Sequence, residues 1–137
     1  MSNSPQIVAL PPGVYNIQIS GQNVVNPNSN GGQLFVTTAS GTEAKQQWLI
    51  SGNGIMLAMD VGTYSYTDLS QGGTPQQVNR SNVNKIEWII TGVKASSTDS
   101  SFTGSIMTND NSKRYWGLNG NNVQLQDAAA TWTFVPA

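Results

Sequence analysis

The sequence predicts an all-β fold, a β-trefoil: three pseudo-symmetric four-stranded repeats that build a six-stranded barrel with a hairpin cap. Three observations carry this. The segments Gln46-Gln47-Trp48-Leu49-Ile50, Ile86-Glu87-Trp88-Ile89-Ile90 and Ala130-Thr131-Trp132-Thr133-Phe134-Val135 share one tryptophan-centred alternation and recur at spacings of 40 and 44 residues, as one supersecondary unit used three times would. The stretches Tyr15 to Trp48 and Ile55 to Trp88 are both 34 residues long and align without a gap. Period-two alternation flanks Gly-containing turns, and no stretch long enough for a helix carries the 3.6-residue period.

The elements follow in order within one domain, 1–137, whose repeats span about 13–51, 52–92 and 93–137. In the first, Tyr15 to Ile19 leads through the Ser20-Gly21-Gln22 turn toward a third strand at Gln33 to Thr38 and then the Trp48 strand. In the second, Leu57 and Met59 stand where Ile17 and Ile19 do, Asp60-Val61-Gly62 takes the turn, and Gln76 to Val78 precedes the Trp88 strand. The third is degenerate: Phe102 to Ile106, a turn at Asn109 to Lys113, Tyr115 to Leu118, Asn122 to Gln126, then the Trp132 strand. The inward set is Tyr15, Ile17, Leu34, Val36, Trp48, Ile50, Leu57, Met59, Val78, Ile86, Trp88, Ile90, Ile106, Leu118, Val123, Leu125, Trp132 and Phe134. An irregular β-sandwich would also supply short strands between turns, but the gapless 34-residue match favours the threefold plan.

Composition narrows the function. The chain has no cysteine and no histidine, which removes thiolate chemistry, the commonest general base and most transition-metal sites. Only 9% of residues are charged, and Lys45, Arg80, Lys85, Lys94, Lys113 and Arg114 are scattered rather than striped, so no nucleic-acid partner is expected. No apolar run reaches the length of a membrane span. The start, Met1-Ser2-Asn3-Ser4-Pro5-Gln6, lacks a positive n-region; together with the missing cysteines this predicts a cytoplasmic location.

Glu43, Asp60, Asp68, Glu87, Asp99, Asp110 and Asp127 are the seven carboxylates. A glycosidase needs two of them across one sugar, and Asp60 and Asp68 fall at opposite ends of the second repeat's hairpin. No Asp-x-Asp calcium spacing occurs. The expectation is a protein without catalysis, cofactor or metal.

The Gln46-x-Trp48 element, the entering strand Gly13-Val14-Tyr15-Asn16-Ile17, and the run Thr67-Asp68-Leu69-Ser70-Gln71-Gly72-Gly73-Thr74-Pro75 resemble the ricin-B-type lectins, in particular the small cysteine-free ones of mushrooms. The resemblance implies recognition of glycans or glycoproteins through shallow sites on the repeats, in a defensive role, with a homodimer raising avidity. It also implies an acid closing the second strand, an aromatic under the sugar ring, and an Asn-Gln pair before the tryptophan. Repeat two has Asp68, with Tyr64 and Tyr66 beside it and Asn79, Asn82 and Asn84 ahead of Trp88, but Lys85 and Ile86 hold the pair's positions. Repeat one keeps Gln46, with Lys45 beside it and Asn26 in the acid's place; repeat three has Ala129 and Ala130, with Gly117 or Leu118 near the acid's place. The complete galactose-binding set is absent, which points to a rearranged site.

The chemistry of such a site stands apart from any family. Carboxylates and amides match the donor and acceptor hydroxyls of a sugar, and an aromatic face meets its C–H face. Asp68 also reads as a turn residue capping the Ser70–Gly73 loop, and the two tyrosines as a seal on the barrel. Trp116, outside the repeat-marking set, is a stacking platform if it faces solvent and a filler of the cap if buried. The alternative function is a protease inhibitor acting through a projecting loop, Asn26–Gln33 or Thr91–Ser101. Asn79-Arg80-Ser81 is a glycosylation sequon.

Overall fold

The computed structural model describes residues 9–25, 27, 31–38, 46–51, 54–57, 66–70, 72–73, 75–83 and 86–137. Within them run β1 (Gly13–Ile19), β2 (Gln22–Val25), β3 (Phe35–Thr38), β4 (Trp48–Ser51), β5 (Gly54–Leu57), β6 (Tyr66–Leu69), β7 (Val78–Ser81), β8 (Trp88–Ala95), β9 (Phe102–Thr108), β10 (Tyr115–Asn119), β11 (Asn122–Gln126) and β12 (Trp132–Pro136). The all-β class is therefore as expected. No helix among the described residues is long and apolar enough to cross a membrane.

The closure differs from the predicted one. The hydrogen-bonded path β12–β9–β10–β11–β3–β2–β1 returns from β1 to β12, which makes a closed antiparallel barrel of seven strands. β4, β5, β6 and β7 extend in sequence from β1, and β8 lies off this path, paired with β9 among the described residues. The trefoil expectation is thus corrected. β2, β3, β10 and β11 belong to the ring instead of capping a six-stranded barrel, and no ladder joins β5 to β8 among the described residues. Two local causes are visible. β1 is long enough to share its length among three partners, Gly13–Tyr15 with β4, Tyr15–Gln18 with β12 and Gln18–Ile19 with β2. The β2–β3 hairpin then passes to β11 through Asn122 and Phe35. Repeat spacing encodes local units, whereas closure depends on which strand edges meet.

The turns obey the chemistry read from the sequence. β1 and β2 are joined by Ser20 and Gly21, both at positive φ (51° and 76°), the two-residue connection whose twist suits a hairpin. Between β10 and β11, Gly120 takes φ 60° ahead of Asn121. The first part of the expected Thr91–Ser101 loop is strand: Thr91 to Ala95 lie in β8, paired with β9 across a bulge between Thr91 and Lys94, and the connection proper runs from Ser96 to Ser101.

At one end, β7, β11 and the approach to β3 meet. The Leu34 N–H donates to Val78 O at 2.9 Å, Val123 N–H to Leu34 O at 2.9 Å, and Leu125 N–H to Gln76 O at 2.9 Å. Leu34, Val78 and Val123 are fully buried there, so every outward neighbour of these residues is set by strand alternation.

The core holds most of the predicted inward set, and adds Val24, Val25, Val93 and Trp116. Ile86, Ile90 and Leu118 are only partly buried against it. Met59 and the side chain of Leu57 lie outside the described residues. All four tryptophans are wholly enclosed; each buries about 200 Å², a gross hydrophobic gain of about 5 kcal/mol apiece. The three repeat-marking indoles donate to the second strand of their own units: Trp48 Nε1 to Val24 O (3.1 Å), Trp88 Nε1 to Thr67 Oγ1 (2.7 Å) and Trp132 Nε1 to Trp116 O (3.2 Å).

Candidate functional site

The β6–β7 ladder sets Tyr66 opposite Ser81, Thr67 opposite Arg80, Asp68 opposite Asn79 and Leu69 opposite Val78. Thr67 and Val78 are buried, so Asp68 and Asn79, which alternate with them, share the outward face. A bridge pairs Asn79 with Gln33 on its other side. Asp68, Asn79 and Gln33 thereby form one row across three neighbouring chain segments. A second bridge pairs Gln77 with Gln124, and Gln124 faces Gly117 on β10.

Asp68 does not cap the following loop as the turn reading expected. Among the described residues its Oδ1 accepts the N–H of Leu69, at 2.8 Å, and no other. The loop is closed by Ser70 instead: Ser70 N–H donates to Gln77 O (3.0 Å), Gln77 N–H to Ser70 Oγ (3.0 Å), and Ser70 Oγ to Gly72 O (3.0 Å). The second oxygen of Asp68 has no hydrogen-bond partner among the described residues. Asn79 Oδ1 is buried and unpaired, a desolvated acceptor that costs about 1–3 kcal/mol until a donor reaches it.

Tyr66 is half-buried on the same outward face as Asp68. Asn82 is drawn aside: its Oδ1 accepts from Arg80 Nε at 3.0 Å, while Arg80 Nη1 donates to Pro27 O at 2.7 Å. Tyr64, Asn84 and Asn26 lie outside the described residues. The sequon asparagine Asn79 sits in a ladder rather than in an open loop.

Two expected site residues are corrected. Gln46 is buried; its Oε1 accepts a hydrogen bond from Asn23 Nδ2 at 2.6 Å and its Nε2 donates to Thr38 O at 3.3 Å. Trp116 offers no stacking surface. Alternation puts it on the inner face of β10, where its ring lies edge-to-face between Trp88 (5.4 Å, 87°) and Trp132 (6.0 Å, 88°).

The structure also shows polar residues that sequence reasoning passed over. A shallow groove of about 300 Å³ is lined by Pro75, Arg114, Gln124, Leu125, Gln126 and Asp127. Arg114 Nη2 donates to Gln76 Oε1 at 2.6 Å and its Nε to Ser112 Oγ at 3.4 Å. Gln126 Nε2 donates to Ala128 O at 2.8 Å. Its side chain lies flat across Gly117, where a Cβ would stand 1.9 Å from Gln126 Oε1. A glycine inside a strand marks such close approach, and the alternation of Val123 and Leu125 with Gln124 and Gln126 already aimed the amides outward. Those were the available signals.

No group of three His, Cys, Asp or Glu that would hold a metal lies among the described residues. The arrangement can donate to and accept from a hydroxylated ligand. No protein-family model, curated protein or solved structure matches this chain, so the functional reading rests on the geometry itself.

Proposed function

We propose that the protein is a non-catalytic lectin that takes the glycans of glycoproteins or free oligosaccharides on the outward face of β6 and β7. The observation that carries the reading is the Asp68–Asn79 cross-strand pair: a carboxylate oxygen without a partner beside a buried, unpaired amide oxygen. Sugar hydroxyls donate and accept at once, and hydrogen bonds to a carboxylate are the stronger kind. Tyr66 on the same face supplies ring surface for the C–H side of a sugar. Removing either polar partner costs a bound glycan about 1.5–3 kcal/mol, or roughly 10- to 100-fold in affinity.

A glycan array is the test. One consistent epitope, lost in Asp68→Ala and in Asn79→Ala while circular dichroism and melting stay native, is the expected result. An array blank for the wild-type protein, or an epitope indifferent to both substitutions, overturns the reading.

A further inference from the structure

We infer that the Asp68–Asn79–Gln33 row and the groove beside Arg114 are two ends of one extended site, and that its ligand is a neutral, linear oligosaccharide. The inference rests on the glycan-binding reading above and names the ligand class for it.

Registers supply continuity. Asn79 and Gln77 lie two apart on the approach to and body of β7, on one face; Gln77 bridges to Gln124, and Gln126 follows two residues further along β11. Neighbouring strands stand about 5 Å apart and alternate residues about 7 Å, so the amides trace a path of about 24 Å from Asp68 to Gln126. A single sugar ring covers only part of that.

Gln33 gives its Nε2 to Val123 O at 3.0 Å, but hydrogen-bonding capacity remains on either side of it. Among the described residues the amide of Gln124 and the carboxylate of Asp127 make no hydrogen bond, and Gln126 uses only its Nε2. Amides both donate and accept, as hydroxyls require. Exposed Pro75 adds apolar lining to the groove, which suits the C–H face of a pyranose.

Charge decides between neutral and acidic glycans. Asp68 and Asp127 stand at the two ends, while the guanidinium of Arg114 is already engaged by Gln76 and Ser112 and makes no ion pair with Asp127. A polyuronate would bring like charges to both ends with one preoccupied cation between, whereas a neutral chain meets no such repulsion.

The test is amide-resolved NMR titration with linear oligomers of glucose, N-acetylglucosamine, galactose and mannose, one to five units each, against galacturonate oligomers of matched length. The expected result is a neutral series whose affinity rises at least about tenfold from monomer to tetramer, with resonances of Asp68, Asn79 and Gln33 and of Gln124 to Asp127 shifting at one dissociation constant. Gln124→Ala and Gln126→Ala should each abolish most of the gain with length and leave monosaccharide binding at Asp68. Shifts confined to the Asp68 end with no length dependence overturn the extended site and leave the lectin reading standing. Shifts confined to the groove, or a galacturonate series that binds more tightly, overturn the inference; silence in every series removes both readings.

Discussion

Trp88 in the second unit and its counterparts Trp48 and Trp132 solve one problem differently. Trp48 and Trp132 give their buried N–H to backbone carbonyls, of Val24 and Trp116, while Trp88 gives its N–H to the side-chain hydroxyl of Thr67. A carbonyl survives any substitution of its residue; a hydroxyl does not. The second unit, which also presents Asp68 and Tyr66 on the opposite face of the same strand, is therefore the one whose tryptophan can be orphaned by a single change. The loops differ in a matching way. In the second unit a neutral hydroxyl, Ser70, closes the loop, whereas in the third unit two carboxylates do so, Asp99 receiving the N–H and Oγ–H of Ser101 and Asp110 those of Ser112.

The comparison breaks most visibly at the ring that links the second and third units. Trp116→Ala removes a fully buried indole from between Trp88 and Trp132, and should cost about 3–5 kcal/mol in chemical denaturation. The carbonyl that serves Trp132 persists in this variant, and the indole's own Nε1 is buried without a partner, so the loss reads ring packing less the relief of that donor; a midpoint unchanged from wild type would refute the three-ring arrangement.

A smaller effect separates side-chain from backbone acceptors. Thr67→Val keeps the shape and deletes the acceptor for Trp88 Nε1, at a cost of about 1–3 kcal/mol. In a Trp88→Phe background the same substitution should cost much less, and the double-mutant cycle measures the bond. Additive effects would show that the hydroxyl does not serve the indole.

The smallest effect concerns acid. Hydrogen bonds from Ser101 and its backbone hold the Asp99 carboxyl below its ordinary value of 3.8, and those from Ser112 do the same for Asp110, with Arg114 adding a lesser attraction. A lowered folded-state value means that stability is present above the unfolded pKa, near 4, and is lost as pH falls through the folded values. Ser101→Ala and Ser112→Ala should lower the melting temperature slightly at pH 7 and leave it unchanged near pH 2. Ser70→Ala should shift it equally at both. Equal pH responses in all three variants would erase the contrast between the loops.

Much of the third unit was legible because alternation, turn residues and buried tryptophan agree there: Phe102, Asn109–Lys113, Tyr115 and Asn122–Gln126 fall where the pattern placed them. The barrel's closure was not, since the repeat spacing is the same whichever edges pair, and the shared use of β1 by β2, β4 and β12 leaves no trace in composition. Asp68 and Asn79 were found by residue type, but their being opposite one another is a register fact. Gln46 and Trp116 misled for a common reason. An amide or an indole reads as a recognition group in sequence, and only the strand face decides whether it meets ligand or core.

Four enclosed tryptophans, with Trp116 standing perpendicular to both Trp88 and Trp132, make the interior its own spectroscopic reporter. Coupled perpendicular indoles give a circular-dichroism signature that vanishes on unfolding. None of these chromophores faces solvent, so a ligand settling on the outward amide path as proposed should leave the emission spectrum untouched, and the same signal then gauges the fold alone.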